Sequence, residues 1–277
     1  MSMRKLLRFF VTIMKSPIKY FGGKGTMFKN IIQYFPDKTE YDIYIEPFGG
    51  SFSIGLQKEP HVIEIYNDLE KNVYSLYKVL SDPEHFKKFK EKCDIILYDD
   101  NIRKEFKDLL KKDNLDIIDR AFYFFYVNRT SHNGIGGYSI NTVIRRSMSK
   151  SVSDFLSSID RLPELHDRLS RVIVSNTDGI DLIKRYDTPK AFFYCDPPYH
   201  QSTRTSTRYD VDMNDETQKK FLNTVIESKA KILISGYDCD EYSILEKNGF
   251  KKNSFDVKTI SGTFKRKTKI EILWKNY

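Results

Sequence analysis

Short apolar runs alternate with longer stretches of helical spacing along most of the chain. Tyr41–Glu46 (YDIYIE) predicts a strand running into a Pro-Phe-Gly-Gly turn, and Ser51–Gln57 predicts a helix behind it. His61–Tyr66 (HVIEIY) predicts a second strand ending in Asn67-Asp68, and Leu69–Leu80 has helical spacing. Arg171–Ser175 (RVIVS), Ala191–Cys195 (AFFYC) and Ala230–Ser235 (AKILIS) are further β-rich runs, with helical patterns at Glu216–Ser228 and Glu241–Asn248. Strands alternating with helices predict an α/β fold whose mostly parallel sheet is covered on both faces. Ser254–Ile260 and Lys267–Trp274 flank Gly262 like a hairpin and would add antiparallel strands at the end.

Between residues 81 and 170 the β signal disappears. Pro83–Cys93, Ile102–Leu110 and Leu115–Val127 predict helices, followed by the polar loop Asn128–Tyr138 (NRTSHNGIGGY) and the basic pair Arg145-Arg146. The pattern predicts a helical insertion, 81–170, within an α/β domain made of 16–80 and 171–277. Residues 1–15 read as an N-terminal extension with no function of its own, with a start at Met14 as an alternative reading. Its apolar stretch Leu6–Met14 is broken by Arg8, falls far short of the ~20 residues a bilayer requires, and precedes no cleavage site. Neither a signal peptide nor a membrane anchor is expected.

Composition adds a few exclusions. Over 277 residues, 40% hydrophobic and 14% aromatic positions exclude a disordered chain and suit one α/β domain with an insertion. The three cysteines (Cys93, Cys195, Cys239) form no C-x-x-C pair, and the five histidines are scattered. A disulfide scaffold and a metal site are both unexpected, and the cytoplasm is the expected compartment. The net charge of +8 favours a polyanionic partner only where a site elsewhere requires one.

Three motifs bear on chemistry. Glu46-Pro47-Phe48-Gly49-Gly50-Ser51 is a strand end, a glycine turn and a helix start, where backbone approaches a ligand closely. Asp68 follows Gly50 by 18 residues, near the ~20 at which an acid grips a nucleotide ribose. The turn is not G-x-G-x-x-G, so by itself it is equally an ordinary strand–helix turn. Lys19-Tyr20-Phe21-Gly22-Gly23-Lys24 places an aromatic and a lysine beside a flexible turn, and alone it reads as a solvated loop. Asp196-Pro197-Pro198-Tyr199 decides the matter, because it stands at the C-terminal end of a predicted central strand, where open α/β sheets place their sites. Two prolines fix a carboxylate, a carbonyl and an aromatic face in one small space. That set suits the exocyclic amine of a base: Asp196 and the Pro197 carbonyl accept its N–H groups, and Tyr199 stacks on the ring. Cys195 follows Tyr194 rather than a proline and reads as a small buried side chain, not a thiol nucleophile.

KYFGGK, EPFGGS, an acid after the second strand and DPPY, in that order, resemble the Dam-type (D12 class) DNA N6-adenine methyltransferases from about Ser16 onward. The resemblance implies a Rossmann-like methyltransferase core using S-adenosylmethionine, with S-adenosylhomocysteine as product and no metal. The helical insertion is then a target-recognition domain that binds double-stranded DNA. It implies that Tyr20 and Lys24 contact the cofactor, that Glu46, Phe48, Gly49, Gly50 and Ser51 surround it, and that Asp68 takes the ribose. Asp196 would lie between the cofactor and a flipped-out adenine, with Pro197, Pro198 and Tyr199 at the base. Lys19 matches a family DNA contact. Asn128, Arg129, Asn133, Arg145 and Arg146 reach DNA on this reading, or else serve as caps and solvated charge. Arg204 and Arg208, in the loop after DPPY, either close over the flipped base or belong to a surface loop. Members that read GATC carry an arginine where Gly137 stands, a departure that leaves the target sequence open. The expected protein is a monomer or weak dimer, acting alone or beside a restriction endonuclease. Alternatives are an RNA or cytosine-N4 methyltransferase of the same fold, and a catalytically silent DNA-binding regulator.

Overall fold

The structure, a computed structural model, describes residues 14–20, 23–134, 136–198, 213–260 and 266–277. A 3-10 turn, Lys24–Met27, leads into the short helix α1 (Phe28–Ile32), and strand β1 (Ile43–Glu46) follows. Helix α2 (Ser53–Gln57), strand β2 (Ile63–Asn67) and helix α3 (Lys71–Ser81) complete the first half of the sheet domain. The insertion holds α4 (Pro83–Ile95), α5 (Asp100–Leu109) and α6 (Ile117–Thr130). It continues with a small hairpin of β3 (Ile144–Arg145) and β4 (Met148–Ser149), then α7 (Lys150–Asp160) and α8 (Leu162–Leu169). The chain returns through β5 (Ile173–Ser175), α9 (Gly179–Arg185), β6 (Ala191–Cys195), α10 (Asp215–Glu227) and β7 (Lys231–Gly236). Helix α11 (Ser243–Lys247) precedes the long strands β8 (Lys251–Ile260) and β9 (Arg266–Lys275).

The seven-stranded sheet has the order β5-β2-β1-β6-β7-β9-β8. The first five strands in that order pair in parallel, while β9 runs antiparallel to both β7 and β8. This is the Rossmann-like sheet with an antiparallel C-terminal hairpin. Its strand order reverses between β1 and β6, so the ends of those two strands open a crevice at the switch point. The register sets Ile45 opposite Phe193, which carries Glu46 and Asp196 to the same edge of the crevice.

The central strands are buried on both faces, as parallel strands covered by helices must be. Along β6, Phe192 and Tyr194 join the cluster under α3 and α6, and Phe193 and Cys195 join the cluster under α9 and α10. Strand period 2 produces this division. Removing a side chain such as Phe192 from water contributes roughly 2–3 kcal/mol before entropy is counted. The first cluster runs on into the insertion, because Phe122, Phe125 and Tyr126 of α6 and Leu165 of α8 share it with Tyr44, Tyr66 and Leu76. The insertion therefore grows out of the same core.

Helix starts follow local chemistry. Asp82, Asp99 and Asp116 accept from the first free N–H groups of α4, α5 and α6, and Pro83 opens α4. The segments α1, α7, α8, α9 and the β3–β4 hairpin were not foreseen from spacing. The hairpin is only four paired residues, with Arg146 and Ser147 at positive φ (53° and 59°) in its turn, and no glycine announces it. The stretch expected as one helix, Glu241–Asn248, splits into a 3-10 turn (Asp240–Tyr242) and α11. Gly262, the expected hairpin turn, lies outside the described residues. Among those residues no helix is long and apolar enough to cross a membrane.

A buried ionic cluster ties the insertion's last helix to the sheet. Glu64 on β2 accepts from Arg168 of α8 at 2.6 and 3.0 Å and is paired with Lys58. Arg168 also donates to the Gly55 carbonyl of α2 at 2.7 Å. Breaking a buried pair leaves an uncompensated charge, so Arg168→Met is expected to lower unfolding stability by ~3 kcal/mol in urea titration. A loss below ~1 kcal/mol, the range of an exposed pair, would contradict this arrangement.

Candidate active site at the strand switch point

The glycine turn is held from beneath. The Gly49 N–H donates to the Asn67 carbonyl at 2.8 Å, and Tyr66 Oη donates to the Gly50 carbonyl at 2.9 Å. Gly50 has φ of +46°, and a Cβ there would stand 2.8 Å from the Tyr20 ring. A Cβ on Gly49 would stand 2.2 Å from Tyr66, so both glycines are required by close approach. Phe52 also takes positive φ (50°) with its ring fully buried, a strain the surrounding core over-determines. The following helix α2 has only five residues, a much weaker source of free N–H groups than the sequence led one to expect.

Asp68 belongs to this architecture. Its Oδ2 accepts from the Gly50 N–H at 2.7 Å and its Oδ1 from the Glu70 N–H at 2.8 Å. Burial pushes its carboxyl up to about 6, against the two N–H bonds that pull it down. Glu46 lies deeper. Burial pushes it up to about 8, although Tyr44 Oη donates to it at 2.6 Å.

Asp196 sits at the far side of the crevice. Lys24 Nζ donates to its Oδ1 at 2.8 Å, and Ser235 Oγ donates to the same oxygen at 3.0 Å. Among the described residues none donates to Oδ2, and none donates to the Pro197 carbonyl. Ser235 also bonds Tyr194 Oη at 3.1 Å. The Pro198 carbonyl accepts from Gln218 at 2.7 Å, and Tyr242 donates to that glutamine's Oε1 at 3.2 Å, which fixes the stretch after β6. Lys24 is almost wholly buried and lies 3.3 Å from a second carboxylate, Glu271. Burial alone would lower its pKa, but Asp196 and Glu271 outweigh that and hold the ammonium charged.

Lys24, Glu46, Phe48, Gly49, Ser51 and Asp196 line one cavity. Gly50, Asp68 and Tyr20 adjoin it on the turn. Lys24, expected on the cofactor, is here engaged with Asp196 across that cavity. Sequence reasoning missed Ser235, Gln218 and Glu271. Glu271 had a visible signal: in IEILW it shares a strand face with Leu273, so a carboxylate falls on an apolar side.

The residues expected at DNA separate into two groups. Asn128 is buried and accepts from the Lys19 N–H at 2.8 Å while donating to the Lys19 carbonyl at 2.9 Å. Lys19 Nζ donates to the Arg129 and Ser131 carbonyls, both at 2.9 Å, closing the end of α6. Burial, then Arg129, lower that lysine to about 8. Gly134, at φ +86°, packs on the Lys19 carbonyl. Lys19 and Asn128 thus form a clamp between the N-terminal segment and α6. Burial, then Arg161, lower Arg129 to about 10. In contrast Asn133, Arg145 and Arg146 are exposed. Arg145 pairs with Asp154 at 2.7 Å and Arg146 donates to Ser157 at 3.1 Å. Tyr199, Arg204 and Arg208 lie outside the described residues.

The raised Asp68 carboxyl has a pH signature. An unfolded aspartate titrates near 3.9, the folded one near 6, so the folded state binds more protons in between and stability falls as pH rises from about 4 to 6. Asp68→Asn is expected to flatten that part of the stability curve, read from urea midpoints. Parallel curves for the two proteins would contradict the assignment.

No curated protein matches the chain. A family model, D12 class N6 adenine-specific DNA methyltransferase, matches residues 20–261, a span that contains the glycine turn, Asp68, the whole insertion and Asp196. The mostly parallel sheet with its antiparallel C-terminal hairpin agrees with that match, and the chain belongs to the D12 class N6 adenine-specific DNA methyltransferases, S-adenosylmethionine-dependent enzymes that methylate adenine in DNA.

Proposed function

We propose that Asp196 and Pro197 receive the amine of an adenine flipped out of duplex DNA, and that the Gly49-Gly50 turn, Lys24 and Asp68 hold S-adenosylmethionine. The observation that carries this reading is the division of labour on Asp196. One oxygen is anchored by Lys24 and Ser235, and the other accepts nothing among the described residues.

The residues fit the cofactor. The cavity suits its amino-acid end, with Lys24 for a carboxylate and acidic oxygens for an ammonium. Asp68 retains lone pairs for a diol beside the turn, and Tyr20 and Phe48 offer apolar surface to the adenine. S-adenosylmethionine supplies a methyl group activated by a sulfonium. The protein's own share is alignment and charge. Asp196 Oδ2 and the Pro197 carbonyl accept the two amine N–H bonds and so orient the nitrogen lone pair. As the nitrogen becomes positive, Asp196 stabilises it and accepts the departing proton at Oδ2. Lys24 and Ser235 keep that carboxylate from rotating away.

Residues 81–170 form the recognition domain on this reading, and the exposed β3–β4 hairpin with Arg145 and Arg146 meets the phosphates. The clamp role of Lys19 and Asn128 supports an indirect contribution, by holding the end of α6 against the segment around Lys19.

Asp196→Asn is expected to fold normally and to lose at least about a hundredfold in methyl transfer to duplex DNA, measured with labelled cofactor. Wild-type turnover in the folded variant would sink the assignment. Arg146→Ala is expected to weaken duplex binding about equally for all sequences and to lower the salt slope by about one. An unchanged slope would remove the hairpin from the interface.

A further inference from the structure

Lys19 and Tyr20 stand between the helical insertion and the glycine turn. Both backbone groups of Lys19 pair with one side chain, Asn128 of α6. Its Oδ1 accepts from the Lys19 N–H at 2.8 Å, and its Nδ2 donates to the Lys19 carbonyl at 2.9 Å. Nδ2 also reaches the Gly134 carbonyl at 3.4 Å, so both of its donors are occupied. With the residue only 4% exposed, this amide acts as a strand partner from inside the protein and is hidden from a base edge. The next residue, Tyr20, sets its ring so near Gly50 that a Cβ there would stand 2.8 Å from it. Gly50 in turn donates its N–H to Asp68. Direct contacts therefore run from Asn128 through the Lys19 backbone and the Tyr20 ring to the turn.

The loop that follows α6 has bonds of its own. The His132 N–H donates to the Gly137 carbonyl at 2.9 Å, the Gly136 N–H to the His132 carbonyl at 2.9 Å, and the Ser139 N–H to the Thr130 carbonyl at 2.8 Å. Ser131 is also bridged to Tyr138. To that loop Asn128 adds one long contact, whereas to Lys19 it gives two short ones.

We propose that Asn128, a residue of the insertion, is a positioning residue for the cofactor half of the site: through the Lys19 backbone it holds Tyr20 against the glycine turn before S-adenosylmethionine binds. The role rests on the reading that this crevice takes S-adenosylmethionine with Tyr20 beside its adenine. Without the amide, the Lys19 backbone regains freedom and the cofactor itself must order Tyr20, which costs affinity. The loop after α6 keeps its own bonds, so DNA is bound as before. Lys19 Nζ still donates to the Arg129 and Ser131 carbonyls, so the tether is loosened and not cut.

The experiment compares full-length wild type with Asn128→Ala, using calorimetry for S-adenosylmethionine and steady-state methyl transfer to unmethylated genomic DNA, which carries the target whatever its sequence. Kd and KM for the cofactor should rise on the order of five- to tenfold, the cost of ordering one large side chain, with KM for DNA unchanged to within about twofold. In a Tyr20→Ala background, Asn128→Ala should add less than about twofold to the cofactor Kd, because the two residues act in series. A rise confined to KM for DNA would put Asn128 in the DNA interface and overturn the proposal. Equal weakening toward both substrates, no change in either, or full additivity with Tyr20→Ala overturns it as well. Wild-type protein that binds no S-adenosylmethionine would sink the reading of the crevice, and this role with it. Should Asn128→Ala not fold, amide exchange of the wild type decides. Saturating S-adenosylhomocysteine should slow exchange of the Lys19 amide on the order of tenfold or more, and duplex DNA alone should leave it unchanged. The reverse pattern, or equal slowing by both, overturns the proposal.

Discussion

The ion pair between Lys24 and Asp196 is the contact on which the site depends. It joins the segment before the first strand to the end of the fourth parallel strand of the chain, across the point where strand order reverses. Two charges taken out of water cost several kcal/mol each, and their attraction offsets this only with good geometry and further hydrogen bonds. Ser235 and Glu271 supply those bonds and that charge from β7 and β9. The antiparallel hairpin at the end of the chain is therefore part of the site, not only an edge to the sheet.

The opposite wall depends on backbone rather than charge. Asn67 donates to the Pro47 and Thr177 carbonyls and accepts from the Thr177 N–H, stitching three strand ends together. On that base Gly49 and Gly50 pass close enough to Tyr66 and Tyr20 that no side chain fits. Asp68 then takes the Gly50 N–H. The buried Glu64–Arg168 pair links this same turn, through α2, to the end of the helical insertion. The glycine turn and the helical insertion thus share a rigid support.

Much of this was legible in the chain. Continuous apolar runs such as AFFYC and AKILIS mark buried strands because parallel strands lose both faces to helices, and the sheet follows their order. DPPY at a strand end located the crevice for the same reason. What escaped was whatever depends on partners distant in sequence. Lys19 and Asn128 read as polar, DNA-facing residues, and only folding shows the Asn128 side chain bonded to the Lys19 backbone, 109 positions away. Ser235 and Glu271 look like ordinary strand residues until β6, β7 and β9 are set side by side. The four-residue β3–β4 hairpin escaped because its turn uses Arg146 and Ser147 at positive φ, where glycine or asparagine is the usual signal.

The central claim is that this crevice, through Asp196, methylates adenine in DNA. Modification-sensitive sequencing of DNA from cells expressing the protein, beside cells expressing Asp196→Ala, tests it most directly. The account predicts N6-methyladenine confined to one short sequence in the first sample and absent from the second. Adenine methylation that persists in the variant, or an unmarked genome in cells containing folded, cofactor-binding wild-type protein, would contradict it.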